Sequence, residues 1–307
     1  MVNPVAKVWM DGKLVDWDDA NVHILTHTLH YGFGAFEGIR CYRRADGRSH
    51  IFRHVEHLNR LYQSSKILTL DVPFDLETLQ LAGKETLRAN DLAEGYLRPL
   101  VYMGAGPMGL GALTNPTRVA IITWKWGAYL GDEGLKNGIR AKISSFARNH
   151  VNAAMVKGKI VGQYVNSILA KREALAAGYQ EAIMLDTTGH VSECSGENLF
   201  LVRDGVVYTP PFDSSILGGI TRATAIQLAK DLGYPIEYAA FTRDHLYIAD
   251  EIFLTGTAAE ITPVREVDDR TIGTGRPGPV TRSIQERFFD IVTGTNNDYP
   301  EWLDWVD

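Results

Sequence analysis

Lys159-Ile160-Val161-Gly162-Gln163-Tyr164-Val165-Asn166-Ser167 sets a lysine among small residues just ahead of a segment whose apolar side chains recur at helical spacing. A lysine held in that way is an amine placed to form an imine with a carbonyl. Most lysines are instead solvated surface charges, and Lys157 stands two residues away in the same run. The residues alone leave the two amines as rivals. Downstream, Val165, Ile168, Leu169, Arg172 and Leu175 predict a helix with one apolar face.

Working outward, Glu181 to Asp186 reads as a strand ending at Thr188-Gly189, and Leu199 to Val202 and Val206 to Tyr208 flank Asp204-Gly205 as a hairpin. Asp11-Gly12, between Val8 and Trp17, predicts another hairpin at the start of the chain. Val55, Leu58, Leu61 and Tyr62 predict a helix from His54 to Leu68, and a second helix is expected from just after Asp75 to near Asn90. Tyr96 to Tyr102 and Val119 to Trp124 read as buried strands. Ala223 to Leu232 predicts a helix that Gly233 terminates, and a last helix is expected from Val280 to Val292.

At 307 residues the chain exceeds what one core usually serves, so two domains are expected. The stretch from Gly127 to Gly138, rich in glycine and polar residues, is the expected connection. The division is then a small N-terminal α/β domain over 1–128, an interdomain loop over 129–137 and a large C-terminal domain over 138–307. Strands mixed with segregated helices predict an α/β fold of the α+β type, with the active site in the cleft between the domains.

A net charge of -6 and the absence of a Lys/Arg-rich block argue against a nucleic-acid partner. Met1-Val2-Asn3-Pro4-Val5-Ala6-Lys7 lacks the apolar core of a signal peptide, and no window reaches the roughly 18 apolar residues of a membrane span, so no membrane partner and a cytoplasmic location are expected. Cys41 and Cys194 are far apart in sequence and lack the clustering of a metal site, so reduced thiols and no metal are expected.

The order lysine, two residues, glycine, one residue, tyrosine, two residues, serine resembles the cofactor-lysine segment of the class IV pyridoxal-phosphate aminotransferases, which adopt fold type IV. The resemblance continues through Tyr31-Gly32-Phe33-Gly34-Ala35-Phe36-Glu37-Gly38-Ile39-Arg40, Gly95-Tyr96-Leu97-Arg98-Pro99, Trp126-Gly127-Ala128-Tyr129, Ser192-Glu193-Cys194-Ser195-Gly196-Glu197-Asn198-Leu199-Phe200, Leu217-Gly218-Gly219-Ile220-Thr221-Arg222 and Thr255-Gly256-Thr257-Ala258-Ala259-Glu260-Ile261. Together these are similar to the branched-chain amino-acid aminotransferase family, and so many ordered matches are far more specific than any one.

The resemblance implies pyridoxal 5'-phosphate as cofactor, bound by the C-terminal domain, and Lys159 as the catalytic imine-former. Glu193 is implied to face the ring nitrogen, where a carboxylate favours the protonated, electron-withdrawing ring; by residue type alone it reads as an exposed loop acid. Glu197, its local competitor, receives a structural role. Tyr164 is implied to hydrogen-bond the ring oxygen. Arg60, Gly219, Ile220, Thr221, Gly256 and Thr257 are implied to hold the phosphate, with Gly196 and Leu217 also against the cofactor. Gly218-Gly219 before a helix is otherwise only a turn, although the helix start suits an anion.

For substrate, the resemblance implies apolar walls from Phe36, Trp126 and Tyr129, with Tyr31 and Leu110 reaching in from a neighbouring subunit. Simple core packing is the commoner fate of such aromatics. Arg98 is implied to meet the distal carboxylate of glutamate, which a planar cation suits. Tyr96 with the backbone of Thr257, Ala258 and Ala259 would take the α-carboxylate, Gly38 would line the pocket and Arg40 would brace its polar groups.

The implied activity is reversible amino transfer from L-leucine, L-isoleucine or L-valine to 2-oxoglutarate, by ping-pong kinetics through Lys159, in a homo-oligomer that is a dimer or a hexamer of dimers. The alternatives are a D-amino-acid or (R)-amine aminotransferase, an aminodeoxychorismate lyase, or a binding protein that has lost the chemistry. Positions 32 to 35 and Met108 to Ala112 border the substrate without being fixed by these motifs.

Overall fold

The computed structural model describes residues 4–306; the sequence reading of the N-terminus falls partly on residues 1–3, outside that range. The chain divides into two compact units. The first takes Met1–Gly127, Gly158–Gly162 and Ile291–Asp307, and the second Ala128–Lys157 and Gln163–Asp290.

In the first unit an antiparallel sheet runs in the order Leu303–Trp305, Ser49–Phe52, Ile39–Arg43, Gly95–Met103, Thr117–Trp124, Lys7–Met10 and Lys13–Asp16, with Gly34–Phe36 also on Gly95–Met103. The first hairpin turns at Asp11 and Gly12, with φ of 48° and 95°. Both lie in the left-handed region that a two-residue turn needs to match the twist of its strands. Helices His54–Ile67 and Leu76–Ala89 bury Leu58, Leu61, Leu79 and Ala82 against Trp9, Val101, Val119 and Ile121. The second helix is started by Asp75, whose carboxylate accepts the Thr78 N–H at 2.8 Å.

Ile160 belongs to the same core, which draws the short segment Gly158–Gly162 into this unit. Gly162 N–H donates to the Gly32 carbonyl at 3.0 Å. Gly32 has φ of 66°, and a Cβ there would come within 2.6 Å of the Gly162 Cα, so no larger residue fits at this crossing.

The second unit has a mixed sheet in the order Val191–Cys194, Glu181–Leu185, Ile139–Ile143, Glu260–Val267, Glu251–Gly256, Asn198–Arg203, Val206–Thr209 and Ile236–Tyr238, with Arg270–Thr271 on Glu260–Val267. Ile139–Ile143 is parallel to both its neighbours. Asp204 and Gly205, with φ of 50° and 77°, turn the hairpin expected there. Ile139, Ile183, Leu199, Leu254 and Val264 form its apolar centre.

Some expectations need correction. The helix after Lys159 is present as Tyr164–Ala176, but its apolar side chains face outward: Val165 is 62% exposed, Ile168 50%, Leu169 43% and Leu175 54%. The buried residues are Ser167, Ala170 and Ala174, small enough to let the helix lie close on Ala182 and Met184. Within Gly127 to Gly138 there is a short helix, Asp132–Asn137, between glycines of positive φ. The helix expected from Ala223 begins earlier, at Ile220, and Gly233 follows its end with φ of 82°. Cys41 and Cys194 are buried free thiols. Among the described residues no helix is long and apolar enough to cross a membrane.

Candidate active site

Lys159 is fixed through its backbone in the first unit. Its carbonyl accepts the Phe36 N–H at 3.1 Å and its N–H donates to Ser64 Oγ at 2.9 Å. The ammonium lies 5.0 Å from the centre of the Phe36 ring. The rival amine has a different fate. Lys157 Nζ donates to the carbonyls of Phe212, Ser214 and Ile216, the last two at 3.0 Å, which occupies its three N–H groups. Burial pulls the Lys157 pKa down, partly opposed by the Glu193 charge. Lys157 is thereby the tie that closes the 212–216 loop.

Close to Lys159 is an acid that the sequence reading passed over. Glu37 has no exposed surface. Its carboxylate accepts Arg60 Nε at 2.6 Å, Arg60 Nη2 at 2.9 Å, His57 Nδ1 at 2.7 Å and the Gly38 N–H at 3.2 Å. Burial alone would raise its pKa, but Arg60 and His57 outweigh that and hold the carboxyl well below the usual range. Burial depresses His57, with the Arg60 and Lys159 charges adding to it against Glu37. His57 is therefore a neutral ring donating Nδ1–H, and Arg60 carries the countercharge. Arg60, expected at a phosphate, is held in place by this double grip.

Phe36, Tyr96 and Trp124 surround the Arg98 guanidinium, with ring centres 4.7, 5.5 and 5.6 Å from its central carbon. Arg98 Nε is buried with no hydrogen-bond partner among the described residues. Trp126 meets Tyr96 edge-on at 4.6 Å. Arg40 donates to the carbonyls of Trp126 at 3.1 Å and Gly127 at 2.9 Å, bracing the strand end. Gly38 is needed by packing: a Cβ there would sit 1.7 Å from the Tyr96 hydroxyl oxygen. Tyr31 and Leu110 stand apart from this group, 44% and 92% exposed.

In the second unit Glu193 lies in the strand Val191–Cys194 and is 4% exposed, so it is no surface loop acid. Oε1 pairs with Arg148 Nη2 at 2.7 Å, while Oε2 accepts Asn198 Nδ2 at 2.9 Å and the Leu217 N–H at 3.0 Å. Arg148 also donates to Ser167 Oγ at 3.2 Å. Asn198 Nδ2 further donates to the Leu217 carbonyl at 2.9 Å, and a Cβ on Gly219 would fall 1.9 Å from Asn198 Oδ1. Glu193, Leu217 and Gly219 are thus gathered around one amide.

Gly219 is the N-cap of helix Ile220–Asp231, and Ile220 and Thr221 form its buried first turn. Gly256 ends one strand and Glu260 opens the next, so Thr257, Ala258 and Ala259 form the turn between them. Tyr164 opens the helix ahead of Ser167. Gly196 N–H donates to Glu197 Oε2 at 3.2 Å. Tyr129 is 39% exposed. Among the described residues no cluster could hold a metal ion.

The second unit thus offers a buried carboxylate fixed by donors and a helix start at a glycine, which suit a cationic ring and an anion. The first offers a lysine amine beside an aromatic ring and a guanidinium with an unmatched donor, which suit a carbonyl and a small acid. The profile of the family described as Amino-transferase class IV matches residues 34–267. The chain belongs to the class IV aminotransferases. It is 48% identical to the branched-chain-amino-acid aminotransferase of Pseudomonas aeruginosa over 295 residues, 96% of this chain and 95% of that one. The crystal structure of the Escherichia coli branched-chain amino acid aminotransferase is 46% identical with a TM-score of 0.96, covering 99% of this chain and 100% of that one. The crystal structure of the branched-chain amino acid aminotransferase from Thermobaculum terrenum in its PLP-form is 33% identical with a TM-score of 0.92, covering 99% of both chains. This class IV aminotransferase is therefore of the branched-chain family.

Several residues of this aminotransferase escaped the sequence reading. Glu37 lies inside a quoted motif, and His57 and Arg60, three apart on one helix face, are the pair that would have pointed to it. Trp124 closes the expected strand Val119 to Trp124 without having been given a role at the site. Arg148 carried no sequence signal.

Proposed function

We propose that this chain is a branched-chain transaminase using pyridoxal 5'-phosphate, moving the amino group of L-leucine, L-isoleucine or L-valine to 2-oxoglutarate to give the 2-oxo acid and L-glutamate. The observation that carries the reading is Arg98. Its buried, unmatched Nε sits among Phe36, Tyr96 and Trp124. One surface then offers aromatic walls to an aliphatic side chain and a planar cation to the second carboxylate of glutamate.

The residues fit the cofactor. Helix Ile220–Asp231 begins at a glycine, which lets an anion approach its backbone and suits a phosphate, to which Arg60, Thr221 and the Gly256-Thr257 turn would add. Gly196 and Leu217 would line the cofactor as well. When bound, pyridoxal phosphate supplies a reactive carbonyl carbon and an electron-withdrawing ring.

The chain supplies the rest. Glu193, compensated by Arg148 and fixed by Asn198 and Leu217, stabilises positive charge at the ring nitrogen. Tyr164 would donate to the ring oxygen. Lys159 would hold the cofactor's carbonyl carbon and would supply the amine that takes the proton from the substrate Cα. Tyr96 and the Thr257, Ala258 and Ala259 backbone receive the α-carboxylate while Gly38, Phe36, Trp126 and Tyr129 keep water from the side chain. Arg40 holds Trp126 in place. Two half-reactions on one site give ping-pong kinetics.

The chain acts as a homo-oligomer in this reading. Tyr31 and Leu110, and beside the latter Leu113 at 92% exposed, are apolar surface that a neighbouring subunit would cover.

The test is the visible absorption of the purified protein during separate additions of L-leucine, D-alanine and an (R)-arylamine without acceptor. Rapid loss of the bound-cofactor band with L-leucine is expected. A response confined to D-alanine or the arylamine, or no band after adding pyridoxal phosphate, would overturn the proposal.

A further inference from the structure

A buried acid pair lies beside Gly196, and the transamination chemistry does not use it. Glu181 is 0% exposed and Glu197 4%. Two carboxyls buried side by side do not both ionise readily, because each charge raises the cost of the other. Glu181 receives Lys171 Nζ in a close ion pair, the Ala182 N–H at 2.8 Å and the Ser195 hydroxyl. The proton then belongs to Glu197, whose carboxyl is pushed up to about 8 by burial and by the Glu181 charge.

The cluster touches both sides of the proposed site. Glu197 Oε2 accepts the Gly196 N–H at 3.2 Å, and a Cβ on Gly256 would lie 3.3 Å from Glu197 Cγ, so one side chain supports two turns. Lys171 donates to the Gln180 carbonyl at 2.6 Å, and its ammonium lies 5.1 Å from the centre of the Tyr129 ring. The other titratable groups facing the pair are Tyr129 and Cys194; burial pushes both up, so both stay uncharged, and the Glu193 charge also acts on Cys194. The sum is one ion pair, one protonated carboxyl and no uncompensated charge.

We infer that Lys171, Glu181 and Glu197 are positioning residues, a charge-balanced cluster that fixes the Gly196 and Gly256 turns together with the Tyr129 ring. Cofactor grip and oxo-acid recognition are then set by one arrangement. The inference rests on the proposed roles of Gly196, Gly256 and Tyr129. Removing the Lys171 ammonium leaves the Glu181 charge buried without its counter-ion, and the pair must rearrange.

The experiment compares Lys171→Met with the parent in two measurements: pyridoxal phosphate affinity of the cofactor-free protein, and KM against kcat for 2-oxoglutarate. The expected result is a loss of about tenfold in cofactor affinity and a similar rise in KM, with a smaller change in kcat, both restored by Lys171→Arg. The infrared spectrum of the cofactor-free parent should also show the carbonyl stretch of a buried protonated carboxyl, absent from Glu197→Gln. Parent-like affinity and KM in Lys171→Met, or a band that survives in Glu197→Gln, would overturn the inference. If Lys171→Met does not fold, the double variant Lys171→Met, Glu181→Gln removes both charges together and carries the same measurements. A parent inactive with every amino donor would defeat the proposed function instead, and the infrared and affinity arms still decide the cluster.

Discussion

Arg60 grips both carboxylate oxygens of Glu37, through Nε at 2.6 Å and Nη2 at 2.9 Å, in a place where the carboxylate has no exposed surface. A buried pair of this kind adds little net stability when intact, yet breaking it leaves one charge bare. Glu37→Gln is expected to cost about 3–5 kcal/mol. Urea unfolding measures it, and a midpoint equal to the parent would show that Arg60 finds another partner.

Two buried histidines predict acid sensitivity, His57 in this cluster and His50, whose Nε2 lies 3.0 Å from the Val292 carbonyl. Burial depresses both His50 and His57 below their ordinary value of 6.5. Below that value the unfolded chain binds protons that the folded chain refuses, so stability is present above it and falls as pH falls. Glu37, held low, adds a loss of the same sign only in stronger acid, below the usual carboxylate value of about 4.3. The urea midpoint should therefore decline between about pH 7 and about pH 5, and less steeply in His57→Gln. An unaltered slope in that variant would remove His57 as a contributor.

The two lysines should separate cleanly. Lys159→Ala is expected to abolish transamination with the thermal midpoint near that of the parent. Lys157→Met releases three carbonyls of the 212–216 loop and should lower stability by about 1–3 kcal/mol while turnover per folded molecule persists. Turnover retained by Lys159→Ala would defeat the assignment of the amine.

Arg98→Leu removes the cation and keeps an apolar wall. KM for 2-oxoglutarate should rise about 10- to 100-fold, with much less effect on the L-leucine half-reaction. Stopped-flow traces of each half-reaction would tell; equal losses in both would mean that Arg98 serves the fold rather than the second carboxylate.

Gly38→Ala pushes a methyl group onto the Tyr96 hydroxyl, 1.7 Å away before relaxation. Overpacking of this kind costs about 1–3 kcal/mol and moves the ring, so KM for the amino acid should rise. Thermal unfolding with a leucine titration checks both parts, and parent-like KM would place the Tyr96 hydroxyl outside the pocket.

Much of the fold was legible because local chemistry dictates it: Asp11-Gly12 and Asp204-Gly205 must turn, and Asp75 must cap. Periodicity in Tyr164–Ala176 correctly identified a helix and misjudged its direction. Spacing reports which residues share a side, whereas whether that side is covered depends on strands far along the chain. Lys157 and Lys159 look alike in sequence for the same reason, since the carbonyls that hold Lys157 lie more than fifty residues on. The burial of Glu193 was likewise invisible, because the guanidinium that makes it tolerable comes from Arg148, outside every recognised motif.

That guanidinium has a consequence for the life of the protein without its coenzyme. A buried anion awaiting a cationic ring would otherwise destabilise the empty chain, but here the countercharge of Glu193 is present from the moment of folding. Coenzyme can then leave and return without a collapse of the strand that greets it. The ligand-free form is on this account a species that can be isolated and reconstituted rather than a folding failure.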